Sequence, residues 1–249
     1  MKVVILGAGT AIPAPGYSPA GVYVRIGREQ VVLDAGAGSL QRLARLGVTF
    51  LDVDRLFLTH FHPDHCLDLV SFLFAMRLPE PARRKPLTVY GPPGLRALVR
   101  RLSAAFPTWL EPRTYRLRLV ELGQTTLRLG GYTVRTARMQ HSTPALAYRL
   151  EAHGRAVAYS GDTEICEGIV RLGRGADLLI LECSVTDERK VAGHLIPSEC
   201  GAIARAAGCR HLVLTHFSPV VLGYDIARRV RRAYHGRLSL ARDFKAFRL

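Results

Sequence analysis

The chain contains 249 residues, of which 48% are apolar, 22% charged and 8% aromatic, and its formal net charge is +15. The apolar content excludes a disordered chain, and 23 Gly and 14 Pro without a regular period exclude a collagen-like one. No apolar run approaches the ~18–20 residues of a membrane-spanning helix, so we expect no membrane partner. We expect one domain over residues 1–249, with a first strand in the N-terminal MKVVILG rather than a signal peptide.

The apolar pattern predicts strands alternating with amphipathic helices along the whole chain. In chain order, strands are expected at 2–6, 22–26, 30–34, 55–59, 87–90, 115–120, 132–138, 146–150, 155–160, 177–182 and 211–215. Helices are expected at 39–46, 66–77, 93–105, 164–172, 197–207 and 224–234. Because the two types are mixed throughout and no long Ser/Gly-rich linker intervenes, the pattern indicates a layered α/β fold.

A short repeat suggests two similar halves. The tetrapeptide LTHF at 58–61 recurs at 214–217, and in both places the second residue after it is a proline. Both copies lie at the end of a predicted strand. We therefore expect each half to deliver a histidine from the carboxyl edge of a strand.

Basic residues outnumber acidic ones, with 35 Lys and Arg against 20 Asp and Glu, and 31 of the 35 are arginine. The excess is greatest in residues 83–118 and 225–249. A positive surface attracts polyanions, and arginine suits bidentate binding of phosphate. A genome that favours arginine codons explains the excess equally well. The charge therefore supports an anionic substrate without identifying it as nucleic acid.

Residues 60–65 read HFHPDH, which places three histidines and an aspartate within six residues. Imidazole and carboxylate groups are the ligands that zinc-like divalent cations take in proteins. A tight loop after the predicted strand 55–59 allows these side chains to converge on one point. The spacing therefore predicts a metal site.

Together with four further motifs, this one makes the sequence resemble the metallo-β-lactamase superfamily. The additional motifs are Asp34 in LDAGAG, His141 in MQHSTPA, Asp162 in YSGDT and His216 in LTHFSP. They follow the family order and extend over most of the chain. The resemblance implies an αββα four-layer sandwich with a two-metal site along one edge of its sheets.

The resemblance also implies a ligand set. One metal is expected to be held by His60, His62 and His141, and the other by Asp64, His65 and His216, with Asp162 bridging them. Asp34 is expected to orient the HFHPDH loop through a hydrogen bond. The expected cofactors are two divalent ions, with zinc as the first choice and Mn²⁺ and Fe²⁺ left open.

Within the superfamily, the sequence around His141 is similar to ribonuclease Z and related phosphodiesterases. Glu182 in LILECS and His194 in AGHLIPSEC resemble the acid and the imidazole of two further ribonuclease Z motifs. This implies that His194, held by Glu182, protonates the departing oxygen. Asp64 is expected to accept the proton of the attacking water, activated as hydroxide between the two metals.

Two departures from ribonuclease Z are visible. Only 21 positions separate His141 from Asp162, which leaves no room for that family's long tRNA-gripping arm. The stretch PAPGYSP at 13–19 also lacks the Lys, Arg and Asn of the family's PxKxRN. We therefore expect an arm-less, cytoplasmic enzyme that hydrolyses RNA or a small or cyclic phosphodiester. By resemblance alone, a homodimer is expected.

Two other functions remain open at this point. The same metals can activate water against a lactone, thioester or other carbonyl substrate, although the basic charge and the Glu182–His194 pair favour phosphodiesters. A non-enzymatic nucleic-acid-binding protein with structural metal is disfavoured, because structural zinc is closed by four ligands that are mostly cysteine.

The five cysteines form no CxxC pair, and we expect free thiols in a reducing cytoplasm. Cys66 follows the metal motif directly, and we expect it to be a small buried thiol rather than a ligand. The sequence assigns no role to three histidines, which are His153, His211 and His235.

Overall fold

The computed structural model describes residues 1–249 and contains two mixed sheets of seven strands each. The first sheet consists of β1 (Lys2–Gly7), β2 (Gly21–Ile26), β3 (Glu29–Leu33), β4 (Arg55–Phe57), β5 (Leu87–Gly91), β6 (Leu117–Glu121) and β14 (Ala246–Arg248). The second consists of β7 (Thr126–Leu129), β8 (Tyr132–Met139), β9 (Ala145–Ala152), β10 (Arg155–Tyr159), β11 (Leu178–Glu182), β12 (His211–Thr215) and β13 (Arg237–Leu240).

Eight α-helices accompany the sheets. They are α1 (Ser39–Arg45), α2 (Pro63–Cys66), α3 (Leu69–Arg77), α4 (Leu95–Ala105), α5 (Glu167–Gly173), α6 (Pro197–Ala207), α7 (Pro219–Leu222) and α8 (Ile226–Arg231). None of them has the length and apolar character that crossing a bilayer requires.

Three apolar clusters hold the layers together. One lies between the sheets and joins residues such as Val24 and Leu33 of the first sheet to Tyr148 and Val157 of the second. Another packs the outer face of the first sheet against α1, α3 and α4. The last packs the outer face of the second sheet against α5, α6 and α8. The expected αββα four-layer sandwich is confirmed.

The two sheets have the same topology. In the order β14-β1-β2-β3-β4-β5-β6, the first three neighbouring pairs are antiparallel and the last three are parallel. The order β7-β8-β9-β10-β11-β12-β13 has the same sequence of pairings. The molecule thus consists of two similar halves. The first LTHF copy follows β4, and the second begins in the last two residues of β12. These strands are not equivalent, because β4 corresponds to β11 in this order.

The common direction of the strands positions the site. Because β8 and β10 are both antiparallel to β9, they run in the same direction, and β11 and β12 continue parallel to β10. The carboxyl ends of these four strands therefore lie at one edge of the second sheet. In the first sheet, β3 and β4 are likewise parallel. The predicted site residues follow these strand ends.

Several elements differ from the sequence prediction. Strands β7, β13 and β14 were not predicted, because they are short edge strands with arginines among their apolar residues. The predicted helix 66–77 is interrupted between α2 and α3, where the carboxylate of Asp68 accepts a hydrogen bond from the amide of Leu40. The strand predicted at 55–59 ends at Phe57, and the amide of Thr59 donates to Asp34 Oδ1 instead of a neighbouring strand.

Candidate metal centre

All seven side chains expected to bind metal lie together at the edge of the sandwich. Their donor atoms form two groups, and within each group the atoms lie within 4.8 Å of one another. The first group is His60, His62, His141 and Asp162, and the second is Asp64, His65 and His216. This division matches the one that the resemblance implies, and the binding of metal by these residues stays a prediction.

Asp162 lies between the two groups. Its Oδ2 is 3.9 Å from Nε2 of His60, and its Oδ1 is 3.3 Å from Nε2 of His65. The side chain is only 2% exposed, and Oδ1 has no hydrogen-bond partner. The carboxylate therefore has one oxygen directed to each group, as a bridging ligand requires.

The local structure of the HFHPDH loop separates its ligands. His62 is extended, and Pro63 begins α2, which brings Asp64 and His65 onto the first helical turn. The amide of Ala35 donates to the carbonyl of His65 at 2.7 Å. The neighbouring Gly36 lies so close that a Cβ there would be 2.1 Å from the carbonyl oxygen of Asp64. The segment after β3 therefore fixes the position of this loop.

Asp34 makes the contacts that its predicted positioning role requires, and the role stays a prediction. It is fully buried, and its carboxylate accepts hydrogen bonds from Nδ1 of His65 (2.8 Å) and from the amide of Thr59 (2.7 Å). It also accepts from the hydroxyls of Thr59 (2.9 Å) and Tyr159 (2.8 Å). The Thr59 hydroxyl lies 3.0 Å from Nδ1 of His60 and accepts its proton. Both imidazoles are thereby held through Nδ1, so that Nε2 of each ring faces the site.

His141 and His216 are held in the same way by different partners. Nδ1 of His141 donates to the carbonyl of Gly193 at 2.9 Å. Nδ1 of His216 lies 2.7 Å from the hydroxyl of Ser184, which in turn donates to Oε2 of Glu182 at 2.5 Å. The hydroxyl therefore accepts from His216, and Nε2 of each histidine faces the site.

The histidine nitrogen atoms that face the site lie close to one another. Nε2 of His65 is 3.0 Å from Nε2 of His216, and Nε2 of His141 is 3.2 Å from Nδ1 of His62. Nε2 of His60 is buried without any hydrogen-bond partner. Buried polar atoms in such an arrangement are costly unless a cation lies between them. The imidazole and carboxylate donors therefore fit two zinc-like divalent ions.

Electrostatics act differently on the donors of the site. Burial lowers the pKa of His65, but the charges of Asp162 and Asp34 outweigh burial and raise it well above its usual value. Burial lowers the pKa of His60 to about 2, so its imidazole is neutral. Burial alone raises the pKa of Asp64, but the hydrogen bond from His216 and the charge of His65 outweigh burial and lower it to about 2. Burial likewise opposes ionisation of Asp162, and the charges of His216 and His65 hold its pKa well below the usual range.

Glu182 and His194 meet beside the metal ligands. Oε1 of Glu182 accepts from Nδ1 of His194 and from the amide of Thr163, each at 3.0 Å. Burial lowers the pKa of His194, but the hydrogen bond and the charge of Glu182 outweigh burial and raise it to about 9. His194 is 24% exposed, and its Nδ1 lies 3.8 Å from Oδ2 of Asp162. The structure thus brings the expected pair together at the edge of the site.

Several residues that support the site are not predictable from the sequence motifs. They are Thr59, Tyr159, Ser184, Gly193 and Glu164, whose Oε1 accepts from the amide of Gly193 at 2.6 Å. Four of them lie within two positions of predicted residues. Thr59 and Gly193 directly precede His60 and His194, and Ser184 and Glu164 follow Glu182 and Asp162 by two positions. Position in the sequence was therefore the only signal available.

The remaining cysteines and histidines lie outside this arrangement. Cys66 is buried as expected, and burial raises the pKa of its thiol to about 12. His153 and His235 are exposed. His211 is buried at the start of β12, and its Nε2 is 3.0 Å from the hydroxyl of Ser239.

Comparison with known proteins agrees with this geometry. Residues 29–217 match the family model of the beta-lactamase superfamily domain. The chain is 28% identical over 274 residues to ribonuclease Z of Methanosarcina mazei, and 88% of each chain is covered. The chain therefore belongs to the beta-lactamase superfamily, and the resemblance seen in its motifs is confirmed.

Solved structures show the same fold. The metallo-beta-lactamase fold protein YhfI from Bacillus subtilis superposes with a TM-score of 0.87 at 23% identity, with 99% of this chain and 98% of that chain covered. The short form of human tRNase Z superposes with a TM-score of 0.80 at 26% identity, with 100% and 99% covered.

Proposed function

We propose that the protein is a metal-dependent phosphodiesterase similar to ribonuclease Z, which hydrolyses RNA or a small or cyclic phosphodiester. The observation that carries the proposal is the contact between Glu182 and His194 beside the two groups of metal-binding donors. Such a site combines activation of water with protonation of a leaving oxygen. The relatives named ribonuclease Z and tRNase Z support the same reaction class.

The cofactors that we assign are two divalent ions, with zinc preferred by the imidazole-rich donor set. They would be held by His60, His62, His141, Asp64, His65 and His216, with Asp162 shared. Bound there, they would lower the pKa of a water molecule and polarise a phosphoryl oxygen.

Three side chains of the chain move or hold protons in this proposal. Asp64 is ionised at neutral pH and accepts the proton of the attacking water. His194 is protonated at neutral pH and donates to the departing oxygen. Glu182 is 1% exposed and accepts from Nδ1 of His194, which leaves the Nε2 proton of that ring for the substrate.

The test is hydrolysis of bis(p-nitrophenyl) phosphate by protein loaded with zinc or manganese, with a chelated sample beside it. Metal-dependent release of nitrophenol is expected. A carbonyl substrate, p-nitrophenyl acetate, and a lactone are assayed in parallel. Turnover of these esters without turnover of the phosphodiester, in protein that holds two metals, would contradict the proposal and favour carbonyl hydrolysis.

We further propose that residues 1–249 act as one domain in a cytoplasmic homodimer. One apolar core joins both sheets, and the five cysteines are unpaired, which suits a reducing compartment.

An exposed apolar surface beside the metal loop is the contact that we assign to the second copy. It contains Leu67, Phe74, Leu78 and Trp109, which are 37–52% exposed. Light scattering of the protein and of a Phe74→Glu variant tests it, with loss of the dimer expected.

A further inference from the structure

A positively charged region lies on the outer face of the second sheet, away from the candidate metal ligands. Two clefts of about 510 and 610 Å³ lie beside β7, β8, β9 and α5, and both include Arg149 and Glu151. The clefts therefore form one continuous surface. Seven arginines line this arginine surface against two acids, Glu151 and Asp177: Arg128, Arg135, Arg149, Arg155, Arg171, Arg174 and Arg210.

One of these arginines is largely buried beneath the surface and supports it. The side chain of Arg149 is only 13% exposed, and its Nε donates to Glu151 at 2.7 Å. Its Nη1 donates to the carbonyls of Leu172 and Arg174 at 2.8 Å each. Arg149 therefore joins β9 to the end of α5, and we regard it as structural.

Of the other arginines, Arg135 donates to Glu151 at 3.0 Å and remains 56% exposed, and the rest are less strongly paired. Arg155 and Arg210 share the single carboxylate of Asp177 and remain 48% and 72% exposed. Arg171 approaches only the exposed Glu167, at 3.6 Å, and surface pairs of this kind contribute little. Arg128 and Arg174 have no acidic partner and are exposed. The surface thus carries guanidinium groups that no protein carboxylate neutralises.

The arginine surface follows β8 toward the metal centre. Tyr132, the first residue of β8, borders one cleft, and Ala137 borders the other. Met139 ends the strand, and His141 comes two residues later. At ~3.3 Å per residue, a strand of this length spans about 23 Å. A ligand that follows the surface is therefore a polymer with many charges rather than a single phosphate group.

The chemistry of the surface favours a nucleic acid over a protein or a membrane. None of the exposed large apolar side chains of the molecule lies among the residues of the two clefts. Protein interfaces and membrane surfaces depend on aromatic and aliphatic anchors. Phosphate chains are instead bound by arginine forks and by counterion release.

We propose that the arginine surface binds the phosphate backbone of an RNA chain whose scissile bond lies in the metal centre. The inference rests on the proposed phosphodiesterase function and specifies its substrate as a polymer. The arginines hold the body of the RNA, and the metal centre acts on a bond near its end. A chain without a long RNA-binding arm thus has a substitute on its own sheet.

The test compares the wild-type chain with a triple variant, Arg128→Ala, Arg171→Ala and Arg174→Ala. The matched control removes three exposed arginines outside both clefts, Arg100→Ala, Arg101→Ala and Arg205→Ala, so that both variants have the same net charge. Binding of a fluorescent RNA hairpin to the metal-loaded proteins is measured by anisotropy at several salt concentrations, with His194→Ala added to all three for this measurement only, to slow turnover. Hydrolysis of bis(p-nitrophenyl) phosphate by the metal-loaded proteins is measured separately.

The surface variant is expected to bind the hairpin at least tenfold more weakly than the control at low salt. The slope of log affinity against log salt concentration should become shallower by about two to three. Three arginines are removed, and each phosphate contact contributes about 0.7–0.9 to this slope. Equal binding by the surface variant and the control would overturn the proposal, as would equally tight binding of the matching DNA hairpin. Hydrolysis of the small phosphodiester should be the same in all three proteins, and its absence in every one of them would instead contradict the proposed function.

Discussion

The hydroxyl oxygen of Ser184 lies 2.7 Å from Nδ1 of His216. The same hydroxyl donates to Oε2 of Glu182, whose other oxygen holds His194. A predicted metal ligand and the proposed proton donor are therefore joined by one buried hydroxyl group. A change at Ser184 is expected to affect both the metals and the proton transfer.

Replacement Ser184→Ala removes the acceptor that fixes the ring of His216. Because hydrogen-bond partners of ligands typically contribute 10–100-fold to metal affinity or activity, a loss of about this size is expected. Metal competition with a chromogenic chelator and turnover at saturating metal measure the two effects. Ser184→Thr should restore both, and Ser103→Ala, on α4, is the control. Wild-type values in Ser184→Ala would exclude this role of the hydroxyl.

Two histidine variants separate metal binding from proton donation. His62→Ala should lose metal and activity together, because Nδ1 of His62 faces the free Nε2 of His141. His194→Ala should retain both metals and lose about 10²–10⁴-fold in rate. Metal content after desalting and the rate of phosphodiester hydrolysis are compared for both. Stoichiometric metal in His62→Ala contradicts its assignment as a ligand, and full activity in His194→Ala contradicts the proton donor.

Gly193 permits the hydrogen bond that holds His141. Its φ is +84°, and a Cβ at this position would lie 2.9 Å from Nδ1 of His141. Gly193→Ala is therefore expected to displace the imidazole and to lower activity by one to two orders of magnitude, on the order of other ligand-orienting contacts. Gly47→Ala is the matched control, because its φ is +72° and nothing lies within 4 Å. If Gly193→Ala and Gly47→Ala lost activity equally, the loss would come from backbone strain at a positive φ and not from contact with His141.

His211 makes the stability of the fold sensitive to acid. Burial and the charges of Arg237 and Lys245 lower its pKa from the usual value of 6.5 to about 4. In the folded chain the ring stays unprotonated down to about pH 4, whereas in the unfolded chain it binds a proton below pH 6.5. The free energy of unfolding therefore falls as the pH drops from about 6.5 toward 4.

Between pH 7 and pH 5 this residue is expected to cost about 2 kcal/mol of unfolding free energy. His211→Phe should remove this part of the loss, since its ring can pack on Phe247 as the imidazole does. Urea unfolding at the two pH values measures the difference, with His235→Ala as the exposed control. The same pH dependence in wild type and His211→Phe would refute the assignment.

The clustering of the candidate ligands could be predicted from the sequence because their chemistry is visible in residue type. Three of these polar residues come at the ends of predicted apolar strands, namely His60, Asp162 and His216. A polar side chain at the end of a buried strand indicates a binding or catalytic role. The division into two groups came from the family resemblance. The structure then brought the seven side chains together in the same division.

The supporting residues could not be predicted in this way. Tyr159 ends an apolar strand and is typical of a core residue, yet its hydroxyl donates to Asp34, 125 positions away. Ser184 and Thr59 are common residues whose roles arise only when distant strands approach each other. The edge strands were missed for a related reason, because β7 and β13 depend on pairing with one neighbour rather than on an apolar run of their own.

The shared topology of the two sheets has a mechanical consequence. The ligands of the HFHPDH loop belong to the first half of the chain, whereas His141, Asp162 and His216 belong to the second. Metals bound between them would act as cross-links that fasten the open edge of the sandwich. Chelation is therefore expected to loosen the two halves at this edge before either sheet unfolds, so that the catalytic state of the enzyme and the rigidity of its fold change together.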